Sequence, residues 1–327
     1  MSKIQEKRIA IVGAGLCGLA CADKLKQYGL SPIVFEKSRD VGGRLATRKL
    51  KDGSEFDHGT QYIVSKGTEF QSYIENAIKT QNAAEWLFNS DQRDLKTFTR
   101  SVVGFPRMSA FVKPLTTNIE VRLNTYVEYI EQLDGAWSLT LGGDGLRELV
   151  DIVMLAVPAP QVLRLIKSSS QLNKQLSTVS MDPCLTLIVG FGGTAFPKFE
   201  TYKSEIGDIA WMARNNVKPG RNQGLDCWVV HANREWSTKY IDINHDEITK
   251  LLLRRFAEFS HEKIPEIHYI SAHKWRYAVT KISLGQPFIK TSNNSLFIGG
   301  DWCLGSCAEN AYESGLAAAS AILESLN

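Results

Sequence analysis

The run Ile9-Ala10-Ile11-Val12-Gly13-Ala14-Gly15-Leu16-Cys17-Gly18, followed by Pro32-Ile33-Val34-Phe35 and closed by Glu36, constrains the fold of this chain most. A strand must enter a tight turn, the turn must open a helix, and a second strand must return beside the first. Each glycine answers a steric need. Gly13 makes the turn, Gly15 lets a pyrophosphate approach the backbone, and Gly18 lets the helix pack closely on the strand. The helix start then offers unpaired N–H groups and the positive end of its dipole to phosphate oxygens, with no lysine required. Glu36 stands where a carboxylate accepts hydrogen bonds from the adenosine ribose, and an acid there argues against a 2′-phosphate. A glycine turn that binds nothing is the alternative, and the flanking strands and the acid count against it.

The next segment separates a flavin dinucleotide from a nicotinamide one. Gly42-Gly43-Arg44 lies just past the ribose acid, where extended FAD still needs a cation and close backbone approach. Arg44 is the candidate for the pyrophosphate or for orienting a carboxylate, and Gly43 for clearance near the ribityl chain. A surface turn with an exposed arginine is the other reading. At the far end, Ser295-Leu296-Phe297-Ile298 forms a short apolar strand ended by Gly299-Gly300, which places Asp301 to accept from a ribityl hydroxyl. A helix then starts near Glu309-Asn310-Ala311 and runs to Leu323. Its N-terminal dipole suits the electron-rich N1/O2 side of reduced flavin, and an ordinary closing helix is compatible with the same residues.

These segments, with several others, resemble the flavin amine-oxidase superfamily and, within it, renalase-like bacterial proteins. The carrying strings are Gly42-Gly43-Arg44, Asp57-His58-Gly59-Thr60-Gln61-Tyr62, Gly104-Phe105-Pro106-Arg107-Met108-Ser109, Ala156-Val157-Pro158-Ala159-Pro160-Gln161, Met181-Asp182-Pro183, Trp211-Met212-Ala213-Arg214-Asn215, Lys274-Trp275-Arg276-Tyr277 and Gly300-Asp301-Trp302-Cys303. The resemblance implies an α/β fold of the p-hydroxybenzoate hydroxylase/amine oxidase type, in which a Rossmann-type FAD-binding domain is interleaved with an α+β substrate domain. The expected division is 1–64, 101–162 and 273–327 for FAD, and 65–100 and 163–272 for the substrate. The expected cofactor-binding set is Gly13, Gly15, Cys17, Gly18, Glu36, Lys37, Gly43, Arg44, Gly59, Gln61, Val121, Gly300, Asp301, Asn310 and Ala311. FAD is expected to be non-covalent, because the local sequence at Cys303 is not that of flavin-linking cysteines.

The implied reaction is hydride transfer to flavin N5 from a misreduced 1,2- or 1,6-dihydro isomer of NAD(P), with O2 taking the electrons as hydrogen peroxide. It needs no proton removal, which suits a chain without an evident acid/base pair, so no side chain is singled out as catalytic. Tyr62, Trp211, Trp228, Trp275 and Trp302 are candidates for a flat aromatic site, with core packing as the alternative for each. His231, in the middle of an apolar strand, is either a hydrogen-bonded core residue or a base. Arg214, Lys274 and Arg276 are candidates for meeting an anionic substrate, or else solvated surface charges. Amine oxidation is the second reading. Many amine oxidases place a lysine at the start of a substrate-domain strand, but Met181-Asp182-Pro183-Cys184-Leu185 lacks it, and Lys274 is the possible stand-in. A third reading keeps the fold as a non-catalytic flavoprotein module.

Composition limits the remaining classes. With 327 residues two domains are expected, and a formal charge of +3 leaves no field for nucleic acid. The charged start and the lack of a long apolar run point to a cytoplasmic protein with no membrane partner. Partners reduce to the dinucleotide and O2, in a monomer or homodimer. The six cysteines make no metal-binding spacing, so no metal is expected and the thiols read as reduced. Cys17 and Cys21 share a helix face and read as packing residues. Strands are expected at Ile119–Leu123, as a hairpin over 126–141, and at 151–156, 185–191 and 226–232, a helix at 247–258, and a linker-like spot at Ser168–Ser170.

Overall fold

The computed structural model describes residues 7–89, 98–143, 145–166, 170–193, 199–260 and 263–326. Its first half supplies β1 (Ile9–Val12), α1 (Leu16–Gln27), β2 (Ile33–Phe35), β3 (Glu120–Arg122) and β4 (Ile152–Leu155). Then follow β5 (Ser180–Phe191), β6 (Thr201–Lys203), β7 (Ile209–Arg214), β8 (Asp226–Ala232), α2 (His245–Ser260) and β9 (Ile267–Ile282). The chain closes with β10 (Ile289–Lys290), β11 (Leu296–Ile298) and α3 (Ala308–Leu326). Shorter hairpins and helices connect them.

Six strands form the first sheet in the order β10-β11-β4-β1-β2-β3, parallel except for β10. Its central strands β1, β4 and β11 are buried along their whole length, as continuous apolar runs in a sheet covered on both faces must be. α1 and α3 cross on one face so closely that a Cβ on Gly315 would lie 2.2 Å from the Cys17 carbonyl oxygen. The second sheet is antiparallel, in the order β6-β7-β8-β5-β9. One of its faces, built from Leu185, Leu187, Val189, Met212, Trp228 and Val230, packs on Ile248, Leu252 and Phe256 of α2, which lie four residues apart on one helix stripe. The Asn244 side chain accepts from the Glu247 N–H at 2.9 Å and starts that helix.

Two expected domain boundaries fall inside strands. The 272/273 boundary cuts β9, which pairs with β5 from Ile267 to Ile282, and the 100/101 boundary cuts Phe98–Gly104, which pairs with Ala83–Asn89. The reason is physical: neither Ile267–Ile282 nor Phe98–Val103 holds a glycine or proline that would end the strand at the expected boundary, so each stays in its ladder past it. Of the linker-like serines, Ser168 and Ser169 lie outside the described residues, and Ser170 begins a short helix to Leu176. Among the described residues no helix is long and apolar enough to cross a membrane.

Candidate active site

β1 ends where the sheet order turns, with β2 on one side and β4 on the other, the crevice in which open α/β sheets bind ligands. Gly13 there has φ +109°, and a Cβ on it would lie 2.6 Å from the Ala156 carbonyl oxygen. A Cβ on Gly18 would lie 2.0 Å from the Gly13 oxygen, whereas one on Gly15 would meet nothing within 4 Å. Gly15 therefore leaves an open surface, and no side chain caps α1 and no acid occupies its first turn. Glu36 is buried and accepts from the Ala14 and Ser38 N–H groups, each at 2.8 Å, with lone pairs left for ribose hydroxyls. Val121 sits beside Val34 at the sheet edge, and Lys37 is exposed just past β2.

The second glycine loop docks on the first, since the Gly42 N–H donates to the Ala14 carbonyl at 2.8 Å and a Cβ on Gly43 would lie 3.3 Å from the Gly15 Cα. From it the Arg44 guanidinium forks onto Asp301. Nη1 donates to Oδ2 at 2.8 Å, Nη2 pairs with Oδ1, and Nη1 also donates to the Ala278 carbonyl at 3.0 Å. The pair has the bidentate geometry that gives such pairs their strength, which fits the expected role of orienting a carboxylate. Gly59 is required where it stands, because a Cβ there would lie 2.0 Å from the Arg44 carbonyl, and one on Gly300 would lie 2.4 Å from the Trp302 ring nitrogen. Asn310 and Ala311 lie in the first turn of α3, and the Cys17 thiol packs against the Ser314 hydroxyl at 3.7 Å. An open glycine, an uncapped helix start, a ribose acid and an arginine–aspartate clamp fit FAD.

Opposite this cradle lies the other face of the antiparallel sheet. Lys203, Trp211, His231, Thr186 and His273 are register partners across β6-β7-β8-β5-β9, so they form one row on this face. Gln61 joins the row to the FAD domain. Its Oε1 accepts from Trp211 Nε1 at 3.2 Å and Lys218 Nζ at 3.1 Å, and its Nε2 donates to the Asp57 and Gly59 carbonyls at 2.5 and 2.9 Å. Because both amide hydrogens go to carbonyls, the His231 Nε2 found 3.3 Å from the His58 carbonyl is assigned as the protonated ring nitrogen. Trp275 Nε1 donates to the same carbonyl at 3.0 Å. Tyr62 packs on Phe88 and Trp211 with ring centroids 5.0 and 5.4 Å away.

The imidazoles on this face are neutral. Burial, then His273 and Arg48, push His58 down to about 3; burial pushes His231 down to about 4, with Lys218 adding to it; burial and Arg48 do the same to His273, also about 4. Ring-nitrogen NMR spectra of these three should therefore not change down to about pH 5; a midpoint near the ordinary value would show that water reaches the face. Since the folded pKa values lie below the unfolded one, the unfolded chain binds more protons on acidification. Stability falls as pH drops from about 6.5 towards 4.

Beneath Gln61 lies a buried ion cluster that the sequence did not disclose. Asp57 Oδ2 is held by Arg221 Nη2 at 2.5 Å and Nε at 3.1 Å, with Lys218 Nζ at 3.5 Å, while its Oδ1 accepts from the Thr47 hydroxyl at 2.7 Å and the Met108 N–H at 3.0 Å. Burial raises the Asp57 carboxyl, but Lys218 and Arg221 outweigh it and hold the group at about 2. Lys218-Pro219-Gly220-Arg221 reads as an exposed turn in sequence. Nothing in its composition announces that both cations turn inward.

Four expected substrate-facing side chains, and Trp228, lie elsewhere. Arg214 is on the α2 face of the sheet, paired with Asp226 at 3.0 Å and stacked over Trp228, itself in the core of that face. Lys274 donates to the Ile243 carbonyl, and Arg276 pairs with Asp242 at 2.9 Å. Strand alternation explains all three cations, since they have the parity of Leu185 and Met212 and so point away from the row that holds Trp211 and His273. Lys274 accordingly does not stand in for the amine-oxidase lysine. Trp302 is fully buried among Phe35, Ile298 and Cys303, with its Nε1 donating to the Val157 carbonyl at 3.0 Å. Sequence reasoning gave no role to His273, Lys218 and Arg221; only the row across the sheet and the buried cluster reveal them.

Comparison with known proteins agrees with this geometry. Residues 11–77 match the NAD(P)-binding Rossmann-like domain, and residues 84–323 match flavin containing amine oxidoreductase. Among curated proteins, the chain is 46% identical over 52 residues to a 15-cis-phytoene desaturase of Synechococcus elongatus, covering 16% of this chain and 11% of that protein. It is 38% identical over 73 residues to protoporphyrinogen oxidase 2 of Arabidopsis thaliana, covering 22% and 14%, and 28% identical over 159 residues to flavin-containing monooxygenase 3 of Macaca mulatta, covering 46% and 27%. The chain thus spans about a quarter or less of the length of the curated relatives it matches. Among solved structures, it is similar to a protein described as a protoporphyrinogen oxidase from Exiguobacterium sp. 255-15, with TM-score 0.74, 13% identity, and 98% and 99% of the two chains covered. It is also similar to putrescine oxidase bound to putrescine, with TM-score 0.71, 14% identity, and 97% and 99% covered; at such identities the likeness is one of fold. Because the family match takes in most of the chain, the protein belongs to the flavin-containing amine oxidoreductase family, and FAD is its cofactor.

Proposed function

We propose that this protein oxidises misreduced 1,2- and 1,6-dihydro isomers of NAD(P), consuming O2 and a proton and returning NAD(P)+ and hydrogen peroxide. Bound FAD, held non-covalently, supplies the two-electron acceptor. The observation that carries the proposal is the row Lys203-Trp211-His231-Thr186-His273, which presents neutral imidazoles and an aromatic surface, while the carboxylates at the centre, Asp57 and Asp301, are both ion-paired. A dihydropyridine gives up hydride without losing a proton to the protein, so it calls on orientation rather than on a base. A protonated amine would instead seek an anion, and the anions here are already matched by Arg44, Arg221 and Lys218. Tyr62, half-buried and backed by the buried Trp211, gives a planar ring a stacking surface. Lys203, whose Nζ donates to the Tyr62 hydroxyl at 3.4 Å, places a cation at the rim for an anionic dinucleotide. The chain's partners on this reading are the dinucleotide and O2, in a monomer or homodimer.

The test is anaerobic stopped-flow mixing of the yellow protein with borohydride-generated 1,2- and 1,6-dihydro-NAD, with 1,4-NADH and a primary amine as comparators. Fast bleaching by the misreduced isomers alone is the expected result. Bleaching by the amine alone moves the protein to amine oxidation, and bleaching by none of them sinks the proposal in favour of a flavoprotein without this turnover.

A further inference from the structure

Lys218 and Asp57 have side chains with no solvent exposure, and Arg221 has 1%. One carboxylate thus faces two buried cations, and Arg221 approaches it more closely, at 2.5 and 3.1 Å against 3.5 Å for Lys218. Lys218 makes its shorter hydrogen bond, 3.1 Å, to Gln61 Oε1, and its ammonium lies 5.5 Å from the centroid of the Trp86 ring. The charged and titratable groups facing it are Asp57, Arg221 and His231, and His231 is neutral. The cluster therefore carries one positive charge that no carboxylate of the cluster balances, an arrangement that is costly in a protein interior unless something uses it.

Gln61 sets where that charge is felt. With its Nε2 hydrogens committed to the Asp57 and Gly59 carbonyls, the amide is fixed with Oε1 towards Lys218. Gly59 is pressed against the Arg44 carbonyl, and the Thr60 N–H donates to that same oxygen at 2.8 Å. The buried ammonium thus stands one side chain away from the loop locked onto the Arg44–Asp301 clamp. We infer that Lys218 is a positioning residue for the cofactor: it locks the Gln61 amide and lends the site a buried positive charge that favours reduced, anionic flavin over the oxidised, neutral form. Electrostatic preorganisation of this kind stabilises charge where it develops, without reorganisation at the moment of reaction. The inference rests on the family's FAD and is independent of the substrate proposed above. Burial holds Lys218 down to about 8 against the pull of Asp57, with Arg221 adding to the lowering, so the charge is present at neutral pH and is lost on the alkaline side.

The experiment measures the two-electron potential of bound FAD, and its affinity for sulfite, between about pH 7 and about pH 9.5 in the wild type, Lys218→Met, Lys218→Gln and Lys218→Arg. The neutral variants should weaken sulfite binding about tenfold and shift the reduction equilibrium by a similar factor, about 30 mV for a two-electron couple. Lys218→Arg should keep both values, and the wild type alone should lose its advantage as pH rises through the Lys218 range. A purely structural lysine would move thermal stability and leave potential and sulfite affinity in place. The inference is overturned if either neutral variant binds FAD with wild-type potential and sulfite affinity. If neither holds FAD, the wild-type profile decides: a sulfite affinity that stays level across that pH range is equally fatal.

Discussion

Gly15→Val should yield a folded, colourless protein. The substitution costs the chain little, since Gly15 has φ −77° and a Cβ there meets nothing within 4 Å, a backbone any residue adopts and a space the protein itself leaves open. What valine occupies is the approach of the pyrophosphate to the start of α1. Bound flavin should fall by at least about tenfold, while the circular dichroism spectrum and the urea midpoint of the cofactor-free protein stay near wild type. Gly18→Ala is the contrast: its Cβ would lie 2.0 Å from the Gly13 carbonyl oxygen, so that variant should lose stability whether or not FAD is present. Full flavin occupancy in Gly15→Val would refute the placement of the cofactor.

Asp57→Asn should be the most destabilising single change at the site, by about 3–5 kcal/mol in urea unfolding, because it leaves Lys218 and Arg221 buried without their anion. The Asp57 carboxyl lies at about 2, below its ordinary 3.8. A depressed carboxyl contributes stability that is complete above the unfolded pKa and is lost as pH falls through the folded one. The gap between wild type and Asp57→Asn should therefore be full above about pH 4 and close between about pH 4 and pH 2. Lys218 works in the opposite sense. Its folded value, about 8, lies below the ordinary 10.5, so its destabilising contribution is constant below about pH 8 and is relieved as pH rises towards 10.5. A gap of under about 1 kcal/mol at neutral pH would mean that water reaches both cations, and the buried cluster would not exist as described.

Both results bear on how far the site can be read from the chain alone. The cofactor half is written in local sequence. Gly13, Gly15 and Gly18 each answer a contact within a few residues or across one strand, Glu36 ends the neighbouring strand, and the Arg44–Asp301 pair joins two motifs that were each legible in isolation. The substrate half is not. Lys274 and Trp275 are adjacent in sequence and were grouped together, yet successive residues of β9 point to opposite faces, so one turns to the Ile243 carbonyl and the other to His58. Trp211 and Trp228 looked equivalent, and the same alternation sends one to Gln61 and the other into the core beside α2.

Local spacing alone specifies the Rossmann strand-turn-helix, the FAD that it holds and the flavin-oxidoreductase class, because close backbone approach and ribose recognition demand particular residues at fixed intervals. It took the folded chain to show which side chains share the row on the face of the antiparallel sheet away from α2, that Ile267–Ile282 and Phe98–Gly104 each stay in one ladder, and that Lys218 and Arg221 are buried around Asp57. A strand's period of two fixes which side chains share a face, but not which face is covered by α2. Nor does the composition of a lysine-proline-glycine-arginine turn record the single carboxylate, far away in sequence, that draws both cations inward.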